Sequence, residues 1–139
     1  DYSKLEEAIG PRTKAIVVVD LGGIVADYDR IYGIVERKKE LFQPMDNHSN
    51  PLADLSSRIQ AGLGRVAVVA DCAHSLGASR VVSHTGKGKM DSPERRYCGA
   101  IADFTDFSFH AVNVVLTETN LIQRGQGAEL RQECNEIAA

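Results

Sequence analysis

Two short runs of β-branched residues, each closed by an aspartate, constrain what this chain can fold into more than any other feature. Residues 14–20 read Lys14-Ala15-Ile16-Val17-Val18-Val19-Asp20, and residues 66–71 read Val66-Ala67-Val68-Val69-Ala70-Asp71. Neither run alternates apolar with polar residues, so each fits a strand covered on both faces of a parallel sheet. Between them, Tyr28, Ile31, Tyr32, Ile34, Val35 and Leu41 fall on one helical face over residues 27–42, with Asp27 placed to cap the helix. Strand, helix and strand in succession indicate an α/β layer.

The remaining segments fit around that layer. Leu5, Ala8 and Ile9 predict a short helix over residues 3–9, closed by Gly10-Pro11, and Leu21-Gly22-Gly23 turns the chain after the first strand. Residues 43–64 hold Pro44, Asn47, Asn50, Pro51, Gly62 and Gly64, which predicts an irregular insertion around a short helix at about 52–60. Residues 80–98 read as a hairpin-like loop, with one arm over 80–84, a turn over 85–89 and a polar extension over 90–97. A third strand is expected over 103–109, with Phe104, Phe107 and Phe109 supplying bulk, and a terminal helix over 127–139 with Leu130, Cys134 and Ile137 toward the core. The expectation is one partial α/β domain over residues 1–139.

Composition narrows the partners. A hydrophobic fraction of 43%, a charged fraction of 25% and a net charge of -3 suit an ordinary globular protein with no pull toward nucleic acid or anionic membrane. The longest apolar runs are far below the roughly 20 residues that cross a bilayer. The opening residues Asp1-Tyr2-Ser3-Lys4-Leu5 have neither an initiator methionine nor the pattern of a signal peptide, which reads as a trimmed or partial chain of cytoplasmic location. Cys72, Cys98 and Cys134 form no close pair in sequence and read as reduced thiols.

Asp71 stands at the C-terminal end of a buried strand, where ligands enter open α/β sheets. Its bland reading is a cap for a helix starting near Ala73. His74 follows three residues on, close enough to share one side of the same turn, although a histidine beside an apolar strand is more often a packed core residue. Ser108 and His110 belong to an alternating stretch that also fits an ordinary strand with one polar face. Cys72, His74, Cys98 and His110 suit zinc by chemistry but lack paired spacing, so no metal is expected. Gly22-Gly23 lacks the G-x-G-x-x-G pattern of a dinucleotide site.

Taken as units, Val66-Ala67-Val68-Val69-Ala70-Asp71-Cys72-Ala73-His74-Ser75-Leu76-Gly77-Ala78 and Ile101-Ala102-Asp103-Phe104-Thr105-Asp106-Phe107-Ser108-Phe109-His110 resemble pyridoxal-phosphate-dependent sugar aminotransferases of the DegT/DnrJ/StrS type. Pro11-Arg12-Thr13-Lys14-Ala15-Ile16 and Leu21-Gly22-Gly23-Ile24-Val25-Ala26-Asp27 match the pattern leading into the first motif, and the resemblance spans roughly residues 4–112. It implies the fold of the aspartate-aminotransferase superfamily's large domain, fold type I: α/β, three-layer, with a mainly parallel sheet flanked by helices. It also implies pyridoxal phosphate as cofactor. Asp71 would pair with the pyridine nitrogen, His74 would lie against the ring, and Ser108 would bind the phosphate. The implied reaction moves an amino group, typically from glutamate, to a nucleotide-linked keto-sugar substrate, in a homodimer.

The family's second motif ends in the lysine that holds the cofactor as a Schiff base. In this chain Ser108-Phe109-His110-Ala111-Val112 is followed by Asn113, and no lysine occurs after Lys89. An amide neither attaches the cofactor nor moves a proton as a lysine amine does. Residues 114–139 also depart from the threonine-rich turn and paired glycines of the family, forming a divergent tail. The expectation is a partial cofactor site with no catalytic residue, inactive on its own. The alternative is a non-enzymatic α/β remnant or interaction module that binds no cofactor.

Overall fold

The computed structural model describes residues 1–108. The end of the third expected strand, Asn113, the divergent tail and the expected helix over 127–139 lie outside the described residues. Element order is α1 (Tyr2–Ala8), β1 (Ala15–Val19), α2 (Tyr28–Arg37), α3 (Pro51–Leu63), β2 (Ala67–Asp71), β3 (Ser79–Thr85), β4 (Gly88–Tyr97) and β5 (Phe104–Asp106). Strands β1, β2 and β5 form a parallel sheet in the order β1-β2-β5, while β3 and β4 pair as an antiparallel ribbon. The mainly parallel α/β arrangement is as the sequence predicts.

Register decides which side chains share a face. Val17 lies opposite Val69, which lies opposite Phe104, and Val19 opposite Asp71, which lies opposite Asp106. The alternate residues Ile16, Val18, Val68 and Ala70 point to the other face, because successive strand side chains alternate. There Val68 and Ala70 join Tyr28, Ile31, Tyr32, Ile34 and Val35 of α2 in one buried cluster, with Ile16 and Val18 partly buried against it. A fully buried valine or isoleucine there contributes roughly 1.5–3 kcal/mol.

The opposite face departs from the expectation of strands covered on both sides. Val17 is 66% exposed, Val19 51% and Phe104 44%. Phe104 therefore does not supply core bulk, since its register puts it beside Val17 and Val69 rather than under α2.

Helix α2 begins as predicted, with the Asp27 carboxylate accepting from Arg30 N–H at 3.2 Å, but ends at Arg37 and passes into a 3₁₀ turn over Lys39–Leu41. The insertion holds a longer helix than expected, with Asn50 as cap, Pro51 in the first turn and left-handed Gly64 at its end. Its preceding loop is tied to it through Met45 N–H on Gln60 Oε1 (2.8 Å), Asn47 N–H on Ser57 Oγ (3.0 Å) and His48 bridging Asp54 and Asp46.

Residues 90–97, expected as loop, form most of β4. Their polarity reflects an exposed ribbon rather than a missing strand. A register shift between Val82 and His84 interrupts the ribbon, and Asp29 of α2 takes up the backbone freed there. One carboxylate oxygen accepts from Ser83 N–H at 2.7 Å and His84 N–H at 2.8 Å, while the His84 ring stacks on Tyr32 at 5.1 Å. The ribbon thus packs on the same side of the sheet as α2.

At the N-terminal end of β2, Arg65 and Asp103 form a two-bonded pair with both contacts at 2.8 Å. Asp103 also accepts from Val68 N–H, and Arg65 donates to the Gly86 carbonyl. A Cβ on Gly86 would stand 2.7 Å from Asp103 Oδ1, so the close approach requires glycine.

Candidate functional site

Three parallel strands deliver their C-terminal ends to one edge of the sheet, and the three expected site residues lie at or just beyond the ends of β2 and β5. Asp71 is the last residue of β2, paired in register with Asp106 of β5, and Ser108 follows two residues beyond. Cys72 N–H donates to the Asp106 carbonyl at 2.9 Å, so the two segments leave the sheet side by side.

Asp71 is half-buried and belongs to the sheet face that α2 does not cover. Its Oδ1 accepts from Ala73 N–H at 3.0 Å. The expected bland role, capping a helix near Ala73, is not what the structure has: residues 73–78 form turns, held by Ser75 N–H on the Cys72 carbonyl and Ala78 N–H on the Ser75 carbonyl. The carboxylate organises a turn instead.

His74 lies within that turn, half-buried. Its Nδ1 accepts from Gly22 N–H at 3.5 Å, a long contact across the loops that follow β2 and β1. Gly22 and Gly23 make it geometrically accessible, because both adopt positive φ, 61° and 74°, where a side chain would be strained.

A second carboxylate terminates β1, and sequence reasoning missed it. Asp20 is fully buried. Its Oδ1 accepts from Ala26 N–H at 3.0 Å and Tyr28 Oη at 3.2 Å, and its Oδ2 from Ser75 Oγ at 3.3 Å and Cys72 Sγ at 3.5 Å. Val19, not Asp20, pairs with Asp71, so Asp20 is one residue out of step and points to the covered face. The sequence signal was present, since both β-branched runs end in aspartate.

Around Asp20 the titratable groups resist ionisation. Burial pushes the Cys72 thiol up to about 12, with the Asp20 charge adding to the effect and a Ser75 hydrogen bond opposing it. Burial, and then the same carboxylate, also raises the Tyr28 phenol. Cys98 donates its thiol to the Ser75 carbonyl at 2.7 Å. Among the described residues no group of three or more histidine, cysteine or acidic side chains is arranged to hold a metal ion. No helix among them is long and apolar enough to cross a membrane.

Residues 1–42 match the model of the DegT/DnrJ/EryC1/StrS aminotransferase family. The fold extends the likeness: "Putative sugar aminotransferase Spr1654" from Streptococcus pneumoniae, in its PLP-form, superposes with a TM-score of 0.57 at 40% identity over 81% of this chain. Sequence and fold together liken this chain to the DegT/DnrJ/EryC1/StrS aminotransferase family. The apo-form and PMP-form of the same S. pneumoniae protein match equally, each with a TM-score of 0.57 at 40% identity over 81% of this chain. In all three comparisons the aligned part is 22% of the S. pneumoniae chain, so this chain spans about a fifth of that relative's length. A search of curated proteins gave no match.

Proposed function

We propose that this chain carries part of a pyridoxal-phosphate site of a sugar aminotransferase and does not complete amino transfer by itself. The observation that carries the reading is the contrast between the two strand-end carboxylates. Asp20 is saturated by four donors and sealed, whereas Asp71 is half-buried on the uncovered face, at the sheet edge where ligands enter. A reachable carboxylate at that edge suits a protonated ring nitrogen, and charge pairing in a partly buried site keeps both groups ionised. The residues therefore fit the cofactor.

In this reading Asp71 orients the ring through its nitrogen, His74 covers the ring from the adjoining turn, and Ser108 donates its hydroxyl to the phosphate. Bound there, pyridoxal phosphate supplies the electron sink for amino transfer. With Asn113 near the expected lysine position, the chain lacks an amine at the point where the family uses one both to attach the cofactor and to move a proton. The parent reaction is transfer from glutamate to a nucleotide-linked keto-sugar, in a cytoplasmic homodimer, and a second polypeptide would have to supply the missing amine.

Absorbance titration of the purified chain with pyridoxal phosphate, followed by borohydride reduction and mass analysis, tests this. Saturable binding is expected, weakened roughly tenfold or more by Asp71→Asn because a charge-assisted contact is lost. No reduced adduct should concentrate on one lysine. Transamination by the pure chain overturns the incomplete site, and absence of saturable binding replaces the reading with a remnant that holds no cofactor.

A further inference from the structure

Ser75 directly follows His74 and is fully buried. Its polar groups are taken up by different parts of the chain. The hydroxyl donates to Asp20 Oδ2 at 3.3 Å and the N–H to the Cys72 carbonyl at 3.1 Å, while the carbonyl accepts from the Cys98 thiol at 2.7 Å and Ala78 N–H at 2.8 Å. The segments that leave β1, β2 and β4 therefore meet at one residue. Asp71 holds the other end of the same turn through Ala73 N–H, and His74 sits between the two anchors, half-buried. Packing alone gives no reason for a hydroxyl here, since alanine fills nearly the same space with no polar atom to satisfy. Nor does Asp20 depend on it, having Ala26 N–H, Tyr28 Oη and Cys72 Sγ as further donors.

We infer that Ser75 is a positioning residue: it fixes the backbone from which the His74 ring projects, and so aims that ring at the edge where Asp71 ends β2. Gly77, at a φ of 78°, turns the chain two residues later and makes that end of the segment conformationally permissive. The contacts of Ser75 stop this freedom from reaching His74. A binding group has to be held within roughly 0.5 Å of its productive place, so a small slip of the turn is enough to spoil the aim. Ser75 itself, being sealed, touches no ligand. The inference rests on the proposed cofactor site for what His74 faces, but not for what holds His74.

Titration of the full chain with pyridoxal phosphate, run as a double-mutant cycle, tests this. Ser75→Ala should weaken binding about fivefold when His74 is present and less than about twofold in a His74→Ala background, because the serine acts through that ring. Equal losses in both backgrounds overturn the inference, since they would mark a general loosening of the site. Histidine ring signals in the nuclear magnetic resonance spectrum give a readout that needs no cofactor. Ser75→Ala should shift or broaden the His74 signal, assigned by its loss in His74→Ala, while that of His84, stacked on Tyr32, stays in place as the mark of an intact fold. An unmoved His74 signal overturns the inference. Should Ser75→Ala fail to fold, Cys98→Ala decides, because it cuts one tether on the Ser75 carbonyl and must move the same signal. A parent chain that takes up no pyridoxal phosphate sinks the cofactor reading instead, and the His74 signal alone then upholds or overturns the role of Ser75.

Discussion

Asp20 and Asp71 end neighbouring parallel strands, one residue out of register, and that single step places them in opposite environments. Asp20 turns toward α2, where four donors converge on it and no solvent reaches it. Asp71 turns to the uncovered face, half-buried, with one oxygen organising its own turn. A carboxylate that is hydrogen-bonded from several elements at once is a structural hub, since it holds those elements in place. One that keeps a reachable face is available to a ligand. The family likeness directs attention to Asp71, and the comparison with Asp20 gives that choice a physical reason.

Removing the hub should have the largest effect on the fold. Asp20→Ala strands Ala26 N–H, the Tyr28 hydroxyl and the Ser75 hydroxyl in a dry site. Leaving several buried donors unmade costs on the order of 3 kcal/mol or more, enough to threaten folding of a small domain. Urea denaturation of the variant should show a lowered midpoint with the slope unchanged. A midpoint within error of the parent's would mean that Asp20 is no hub.

The same pocket predicts an alkaline limb. Cys72 has its thiol raised from the ordinary value near 9 to about 12, chiefly by burial. A raised folded value means that stability is fully present below pH 9 and is lost as pH climbs toward 12, because the unfolded thiol ionises first. The buried Tyr28 and Tyr32 phenols, also raised, steepen the fall above pH 10. Stability measured by denaturant at stepped pH should decline through that window. Cys72→Ala should remove the part that begins near pH 9, and an unchanged profile in that variant would assign the limb to the tyrosines alone.

Much of this was legible in the residues themselves. The β2 strand follows from its unbroken β-branched run, the stripe of Tyr28, Ile31, Tyr32, Ile34 and Val35 from hydrophobic period, and the Asp27 cap from local chemistry. What could not be read was parity. An unbroken apolar run looks alike on both faces, so the sequence could not say that Val17 and Phe104 face away from α2 or that Asp20 faces toward it. Register supplied that, and register depends on pairing between distant strands. The β4 strand was hidden for a related reason: its two faces are both largely exposed, so Lys89, Asp91, Glu94 and Arg95 read as loop chemistry. The Arg65–Asp103 pair was invisible because its partners are far apart in sequence. The Asn113 position belongs to the residues beyond Ser108.

Tyr28→Phe should have a smaller effect on the same hub. It deletes one donor of the four on Asp20 and leaves the ring in the core, so a loss of about 1.5 kcal/mol is expected for a bond to a charged acceptor. A loss comparable to that of Asp20→Ala would mean that the carboxylate depends on this hydroxyl alone, and the picture of a shared hub would have to be abandoned.

The smallest change in stability should come from Asp71→Asn, and its smallness is the point of the comparison. The amide oxygen still accepts from Ala73 N–H, and the side chain is already half in solvent, so the fold should shift by under about 0.5 kcal/mol. Charge is the one property removed. If Asp71 serves a ligand, its binding must fall while the denaturation curve stays where it was, a separation that no variant at Asp20 can produce. Should Asp71→Asn instead destabilise the fold as Asp20→Ala does, both strand-end carboxylates are structural, and the argument for a cofactor at this edge loses its physical basis even though the family likeness stands.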